Sequence, residues 1–508
     1  MLRRLAAFGA VLLALAVLYL AASQTMPAVG TAASAQPASS AGATTAVTSV
    51  TRACPPPGPG TGTARVAMVA VPGQETASQA AGSAQLSAIP VASGTAAGQG
   101  AAPASVTTPG ALALETAPQA AQYGATIVSA TGAMAPGFEA EDATASGVGM
   151  VSCTHPGSDM WFVGTGEQAG APTTLLYLMN TGTVAASVEA TVVTDAGIQP
   201  GLSSAITVAP GRYVSQNLAQ YARGSVVIAV HVQASTGQIA AAVWQAPARG
   251  PGGTWLPQAA EPATKVVIPG VTTASSAARL FIVVPGTTDA HVKVEALTAH
   301  GPFLPFGTAT QDAPSGASSS FALTALGTSA AALVLTSNVP ITAGIAVPGT
   351  GIGSFTAAVA PVTGQGVVAG NPGGKQGSVG LILSAPAGAA SASITVVPAA
   401  AATAQPGRSA QPGQPAQPAP QAVQVAAGHT IQVAVQPPAG NQPFAIVVTP
   451  RTGSGPLYAA RVVTSGSGLS GPVMSLLPVL SAPTEVTLPP ARDTYTAIVP
   501  SSLIQHSR

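Results

Sequence analysis

The chain has 508 residues, with 16 Lys and Arg against 15 Asp and Glu; only 6% of residues are charged, where a soluble protein usually carries roughly 25%. That balance excludes the charged field that nucleic acid or an anionic lipid surface would need, so no nucleic-acid partner is expected. Hydrophobic residues make up 47%, mostly Ala and Val, and 57 Gly with 47 Pro account for 104 of the 508. This composition suits several β modules joined by soft connectors.

In chain order, Arg3 and Arg4 precede an uninterrupted apolar run from Leu5 to Ala22. Basic before apolar places the N-terminus in the cytoplasm and the bulk of the chain outside. Its 18 residues exceed the roughly 7 to 15 of a signal-peptide core and approach the roughly 17 to 25 of a span. Residues 1–23 are therefore expected to be a membrane anchor, or a signal if the chain is cleaved after Ser23, where Ala21 and Ser23 are small enough for a peptidase. The membrane is the first expected partner. Residues 24–63, rich in Ala, Ser, Thr and Pro, read as a flexible stalk.

Beyond the stalk comes a repeated order of strands. Its clearest copy begins at Leu175: LLYLMNTGTVAASVEATVVTDAG, then ITVAPGRYVSQNL, then SVVIAVHVQASTGQIAAAVWQ. Val188, Ala190 and Val192 alternate with Glu189 and Thr191, and Thr-Gly and Pro-Gly pairs mark reversals. The order returns at Leu280 and near Val379, and a weaker copy begins at Arg65. The expected modules are 64–150, 151–262, 263–362 and 363–480, followed by a tail over 481–508. A Pro/Gln-rich insertion, 399–422, lies inside the last module and reads as a polyproline-type loop. Short strands with Gly/Pro turns point to an all-β fold of tandem immunoglobulin-like β-sandwich repeats. The alternative is that the repeats close into one propeller-like assembly.

Cys54 and Cys153 are the two cysteines of the chain. With no CxxC spacing and an exported context, a disulfide between them is expected, rather than a zinc site or two free thiols. Between Phe138 and Gly166 the chain collects Glu139, Glu141, Asp142, Asp159 and Trp161 around Cys153. Three readings apply: paired carboxylates acting on a glycosidic bond, a calcium site, or a solvated acidic loop beside the disulfide with Trp161 in the core. The irregular acidic spacing favours the last. Among the tryptophans, Trp255 in GPGGTWLP is the expected exposed glycan contact; Trp161, in an apolar strand, is a second candidate for which core packing is the favoured reading. The six histidines are scattered, and there is no GxSxG elbow or Walker motif. Hence no metal, cofactor or catalytic residue is expected.

The string CTHPGSDMWFVGTG from Cys153, followed by the strand that ends at Asn180, resembles a family of secreted or membrane-anchored actinobacterial proteins classed as a domain of unknown function. In that family a Cys-x-x-Pro-Gly-x-x-x-Trp-Phe-x-Gly string introduces such a strand. The resemblance implies an envelope location and brings no catalytic residues. The function expected is a non-enzymatic cell-envelope protein that binds or scaffolds at the cell wall, with cell-wall glycan or envelope proteins as partners. A secreted glycan-acting hydrolase and a surface adhesin are the alternatives.

Overall fold

The computed structural model describes residues 44–59, 65–74, 80–91, 105–116, 124–143, 150–167, 173–200, 202, 205–246, 253–272, 278–305, 307, 309–323, 326, 330–347, 353–374, 377–399, 418–439, 442–468 and 471–487. Contacts divide the chain into two compact units, Met1–Thr45 with Thr487–Arg508, and Ala46–Val486. Leu5 to Ala22, most of the expected stalk and residues 400–417 of the Pro/Gln-rich insertion lie outside the described residues. Among the described residues no helix is long and apolar enough to cross a membrane.

The second unit, Ala46–Val486, is all-β: four sandwiches in tandem, each using its strands in the same order. In the first, one sheet runs Ser49–Cys54, Ala125–Thr131, Ala84–Ile89, Ser105–Val106. It faces a second sheet of Ala113–Thr116, Arg65–Val69, Glu139–Ala143 and Val151–Ser152. By chain position these are strands one, six, three, four and strands five, two, seven, eight. The fourth sandwich repeats this order, from Gly366–Asn371 to Gly471–Pro478. The second, spanning Asp159 to Ala259, and the third, spanning Ala263 to Ala357, keep the same pairings and add short edge strands. All these pairs are antiparallel; for instance Asp159–Thr165 lies against Val227–Thr236 from Asp159↔Gln233 to Thr165↔Val227.

Period-two patterning sets the faces. In Ala186–Thr194, Val188, Ala190 and Val192 are fully buried between the sheets while Glu189 is exposed, as alternation across a pleated strand requires. In the third sandwich strands six and seven are fused into one long strand, Ala331–Val347. Its first half pairs with Ala290–Thr298 up to Ser337, Ile341 still pairs with Ala263 in that sheet, and its second half pairs in the other sheet from Thr342. Pro340, which has no N–H to donate, sits where the chain changes sheets.

The sandwiches also pack on one another in cyclic order. Ala53, Ile89 and Ala125 of the first share an apolar cluster with Tyr177, Trp244 and Trp255 of the second. The core of the second takes in Phe281, Val283, Phe355 and Ala357 of the third. That of the third takes in Ile382, Val462 and Leu476 of the fourth. Ala67, Val69 and Leu112 of the first meet Val367, Ala369 and Ala445 of the fourth, closing the cycle. Backbone bonds cross these seams, including Leu112 N–H to the Pro398 carbonyl at 3.1 Å.

Three boundaries differ from the sequence expectation. Ser49–Cys54, expected within the stalk, is the first strand of the first sandwich, in register with Ala125–Thr131 from Ser49↔Thr131 to Cys54↔Thr126. Val151 and Ser152 close the first sandwich instead of opening the second. Residues 481–483, expected in the tail, belong to the packed unit: Ala482 is fully buried and donates its N–H to the Gln365 carbonyl at 2.7 Å. In each case a two- to six-residue stretch is too short for periodicity to reveal.

Candidate functional site

Cys54 and Cys153 form the expected disulfide. It joins the end of the first strand of sandwich one to the segment that leaves its last. Just beyond, the backbones of Ala53 and Thr154 exchange hydrogen bonds of 2.9 and 2.8 Å. The Thr154 hydroxyl donates to the Ala241 carbonyl of sandwich two at 2.8 Å. The CTHPG stretch is therefore a fixed crossing between two sandwiches, and it forms one wall of a cavity of about 370 Å3.

Arg52, Glu139, Thr154 and His155 face this cavity from sandwich one. Phe162, Leu256, Pro257 and Gln258 face it from sandwich two. Leu477, Leu480, Ser481 and Pro483 complete it at the end of sandwich four. The size lies within the roughly 300 to 1,000 Å3 of small-molecule sites, and a mainly apolar lining with a few polar groups is the usual character of such sites.

The charged pair in the wall is closed on itself. Arg52 Nε donates to Glu139 Oε1 at 3.1 Å and Nη2 to Oε2 at 3.3 Å, a bidentate arrangement,. The Ala140 N–H adds a bond of 3.0 Å to Oε1. Burial pushes the Glu139 carboxyl up from its ordinary value, and Arg52 pulls it back in part. His155 lies beside this pair. Its Nδ1 is 2.6 Å from the Pro156 carbonyl, which can only accept, so Nδ1 carries the proton. Burial first, and then the Arg52 charge, holds the imidazole below the usual histidine value. The neutral ring therefore keeps Nε2 as an acceptor.

Glu139, Glu141 and Asp142 do not lie in the solvated loop that was expected but on the buried strand Glu139–Ala143. Glu139 and Glu141, two residues apart, share the face turned away from the core of sandwich one. Glu141, with no exposed surface, accepts from Arg461 Nη1 of sandwich four at 3.0 Å and from the Gly370 N–H at 2.8 Å. A Cβ at position 370 would stand 3.1 Å from that carboxylate oxygen, which is why glycine fits there,. Asp142 shares the opposite face with Ala140, on the inside of sandwich one. Burial pushes its carboxyl up from 3.8 to about 7, opposed by a hydrogen bond from the Arg65 backbone. Asp159, on the next sandwich, lies 3.1 Å from His231 Nε2 and accepts from Gln233. The four acids are thus brought to separate positions with separate partners, not to one acidic cluster.

Trp161 packs in the core, as favoured for it, and Trp255, expected to be exposed, is buried as well. Trp161 is 4% exposed and stacks on His231 with centroids 3.9 Å apart. Trp255 is 6% exposed and meets Trp244 edge-on at 4.9 Å and Tyr177 at 5.7 Å, within the seam between sandwiches one and two. Gly253, two residues before it, marks close packing and not an open loop: a Cβ there would run into the Trp244 ring. Among the described residues no group of three or more His, Cys, Asp or Glu could hold a metal ion.

Sequence reading passed over Arg52 and Arg461. The available signal was an arginine at mid-strand, in SVTRAC and in YAARVV. In so uncharged a chain a strand-centre arginine calls for a carboxylate partner, and the i, i+2 spacing of Glu139 and Glu141 supplies two on one face.

A model for a family of unknown function (DUF5719) matches residues 113–436. No curated protein matches the chain, and no solved structure does.

Proposed function

The chain belongs to the DUF5719 family of unknown function, and from that premise we propose that it is an extracytoplasmic cell-envelope protein that binds or scaffolds without catalysing. The observation that carries this reading is the cavity shared by three sandwiches, in whose wall the Arg52–Glu139 ion pair is already neutralised. A glycosidase needs two carboxylates facing each other across a cleft, one held protonated. Here Glu139 is committed to Arg52, Glu141 to Arg461, and Asp142 lies within a sandwich. An adhesin reading draws no support from exposed aromatics, since Trp161 and Trp255 are buried.

The envelope location is supported by the disulfide, which persists in oxidising compartments, and by the basic-then-apolar start of the sequence. The Cys153 to Gly164 string extends this proposal to secreted or membrane-anchored actinobacterial proteins. The test is fractionation of cells expressing the full chain, with thiol labelling by a membrane-impermeant maleimide before and after reduction. We expect recovery with the membrane or cell wall and labelling only after reduction. Recovery in the cytosol with two labelled thiols would overturn the location. Release of reducing sugar ends from cell wall by the wild type, lost in Glu139→Gln, would overturn the binding role.

A further inference from the structure

We infer that the cavity between sandwiches one, two and four holds the chain of a single-chain lipid with an uncharged, hydroxyl-bearing head, of the monoacylglycerol type. This deepens the binding role proposed above but does not depend on where the protein resides.

The lining suits a hydrocarbon chain. Phe162, Leu256, Pro257, Leu477 and Leu480 come from two sandwiches and bound a space of about 370 Å3. It offers apolar contact along its length and no indole face for a sugar ring, since Trp161 and Trp255 are turned into the packed interior. Leu480, 38% exposed, stands at the rim, where a chain would enter.

The head is chosen by charge. Arg52 would be the natural partner of a carboxylate or phosphate, but its guanidinium already donates twice to Glu139, and both residues are 4% exposed. An anionic head would have to sit beside the Glu139 carboxylate in a poorly solvated space, and like charges at short range in such surroundings repel strongly. An uncharged head meets no such barrier. His155 Nε2 accepts, the Gln258 amide both donates and accepts, and the Ser481 hydroxyl, whose oxygen already accepts from the Thr363 N–H at 2.9 Å and hydroxyl at 3.3 Å, keeps its hydrogen to donate,. A hydroxyl-bearing head satisfies this mixed set; a methyl ester, which only accepts, leaves the His155 acceptor without a donor.

The test is isothermal titration calorimetry of the full chain, below the critical micelle concentration, with monodecanoylglycerol, methyl decanoate and sodium decanoate. We expect the monoglyceride to bind at least tenfold more tightly than the carboxylate, with the methyl ester between them. Shortening the chain to the octanoyl monoglyceride should weaken binding by about fourfold for each methylene lost from the cavity. Leu480→Glu, at the exposed rim, should weaken the monoglyceride at least tenfold. Val184→Glu, on an exposed turn of sandwich two (61% exposed), should change nothing. His155→Phe should remove most of the difference between monoglyceride and methyl ester while leaving the methyl ester unaffected. No heat of binding for the monoglyceride, equal or tighter binding of decanoate, or full binding by Leu480→Glu would each overturn the inference. A cytosolic location with these titrations intact would sink the envelope proposal alone.

Discussion

Asp142 is the carboxyl whose protonation the fold controls most directly. It follows Ala140 on the inward face of the strand Glu139–Ala143, it is 4% exposed, and one of its oxygens has no hydrogen-bond partner among the described residues. With the folded value near 7 and the ordinary value at 3.8, the native state binds the proton more tightly than the unfolded chain does. Its stabilising effect is therefore complete below about pH 4 and is lost as pH rises to about 7, a change on the order of 4 kcal/mol. Burial of Glu139 works in the same direction. The urea midpoint should fall between pH 5 and pH 8, and Asp142→Asn should flatten most of that slope. Arg461 and Glu141 make a different case. Both are without exposed surface, and Arg461 Nε and Nη2 have no hydrogen-bond partner among the described residues. Arg461→Met alone leaves a buried carboxylate unpaired and should cost about 3 to 5 kcal/mol, whereas Arg461→Met with Glu141→Leu should recover most of the loss. A double-mutant cycle by chemical denaturation measures the coupling, and additive losses would contradict it.

Among the elements, the strand Ser49–Cys54 has the widest consequences. It completes a sheet of sandwich one, carries Arg52 to the cavity, and is tied by Cys54 to the crossing segment at Cys153. The bond closes a loop with a sequence separation of 99 residues, so in the chain-entropy model its removal should destabilise by roughly 2 to 5 kcal/mol. Cys54→Ala with Cys153→Ala should lower the thermal midpoint accordingly. It should also weaken ligand binding, since Arg52 and His155 sit two residues from the two cysteines. Unchanged affinity in a folded double variant would show that strand pairing alone fixes the wall. The strand was hard to read in the sequence because six residues with a central arginine, next to an Ala/Ser/Thr tract, give neither a clear period nor a clear boundary. By contrast Ala186–Thr194, nine residues long with Val188, Ala190 and Val192 facing in, was legible because its alternation is long enough to count.

At the scale of the whole unit, cyclic packing means that each sandwich buries surface against two neighbours. Alanine makes this close approach workable: Ala67, Ala369, Ala445 and Ala482 meet between sandwiches one and four, and Ala53, Ala125, Ala240 and Ala242 between one and two. Short side chains let the outer faces of sheets pack as inner faces do. Ala46–Val486 should therefore melt in one cooperative calorimetric transition instead of four independent ones. A chain truncated after residue 362 should expose the Ala67, Val69 and Leu112 face of sandwich one and melt at lower temperature or aggregate. Separate transitions with an unshifted midpoint for the truncated chain would show the sandwiches to be independent.

By itself the sequence determined the all-β class, the tandem repeat and the pairing of the two cysteines, because period-two patterning, turn residues and cysteine number are local or countable properties. It did not determine which strand-borne charges meet. The partners of Glu139 and Glu141 lie 87 and 320 residues away along the chain, and only the register of the sheets and the docking of sandwich four on sandwich one bring them together. For the same reason Trp255 looked exposed among its glycines and the acids looked solvated. Burial of a strand's outer face depends on the next sandwich, and no period within one strand records that neighbour. The cavity, assembled from three such neighbours, belongs wholly to the tertiary structure.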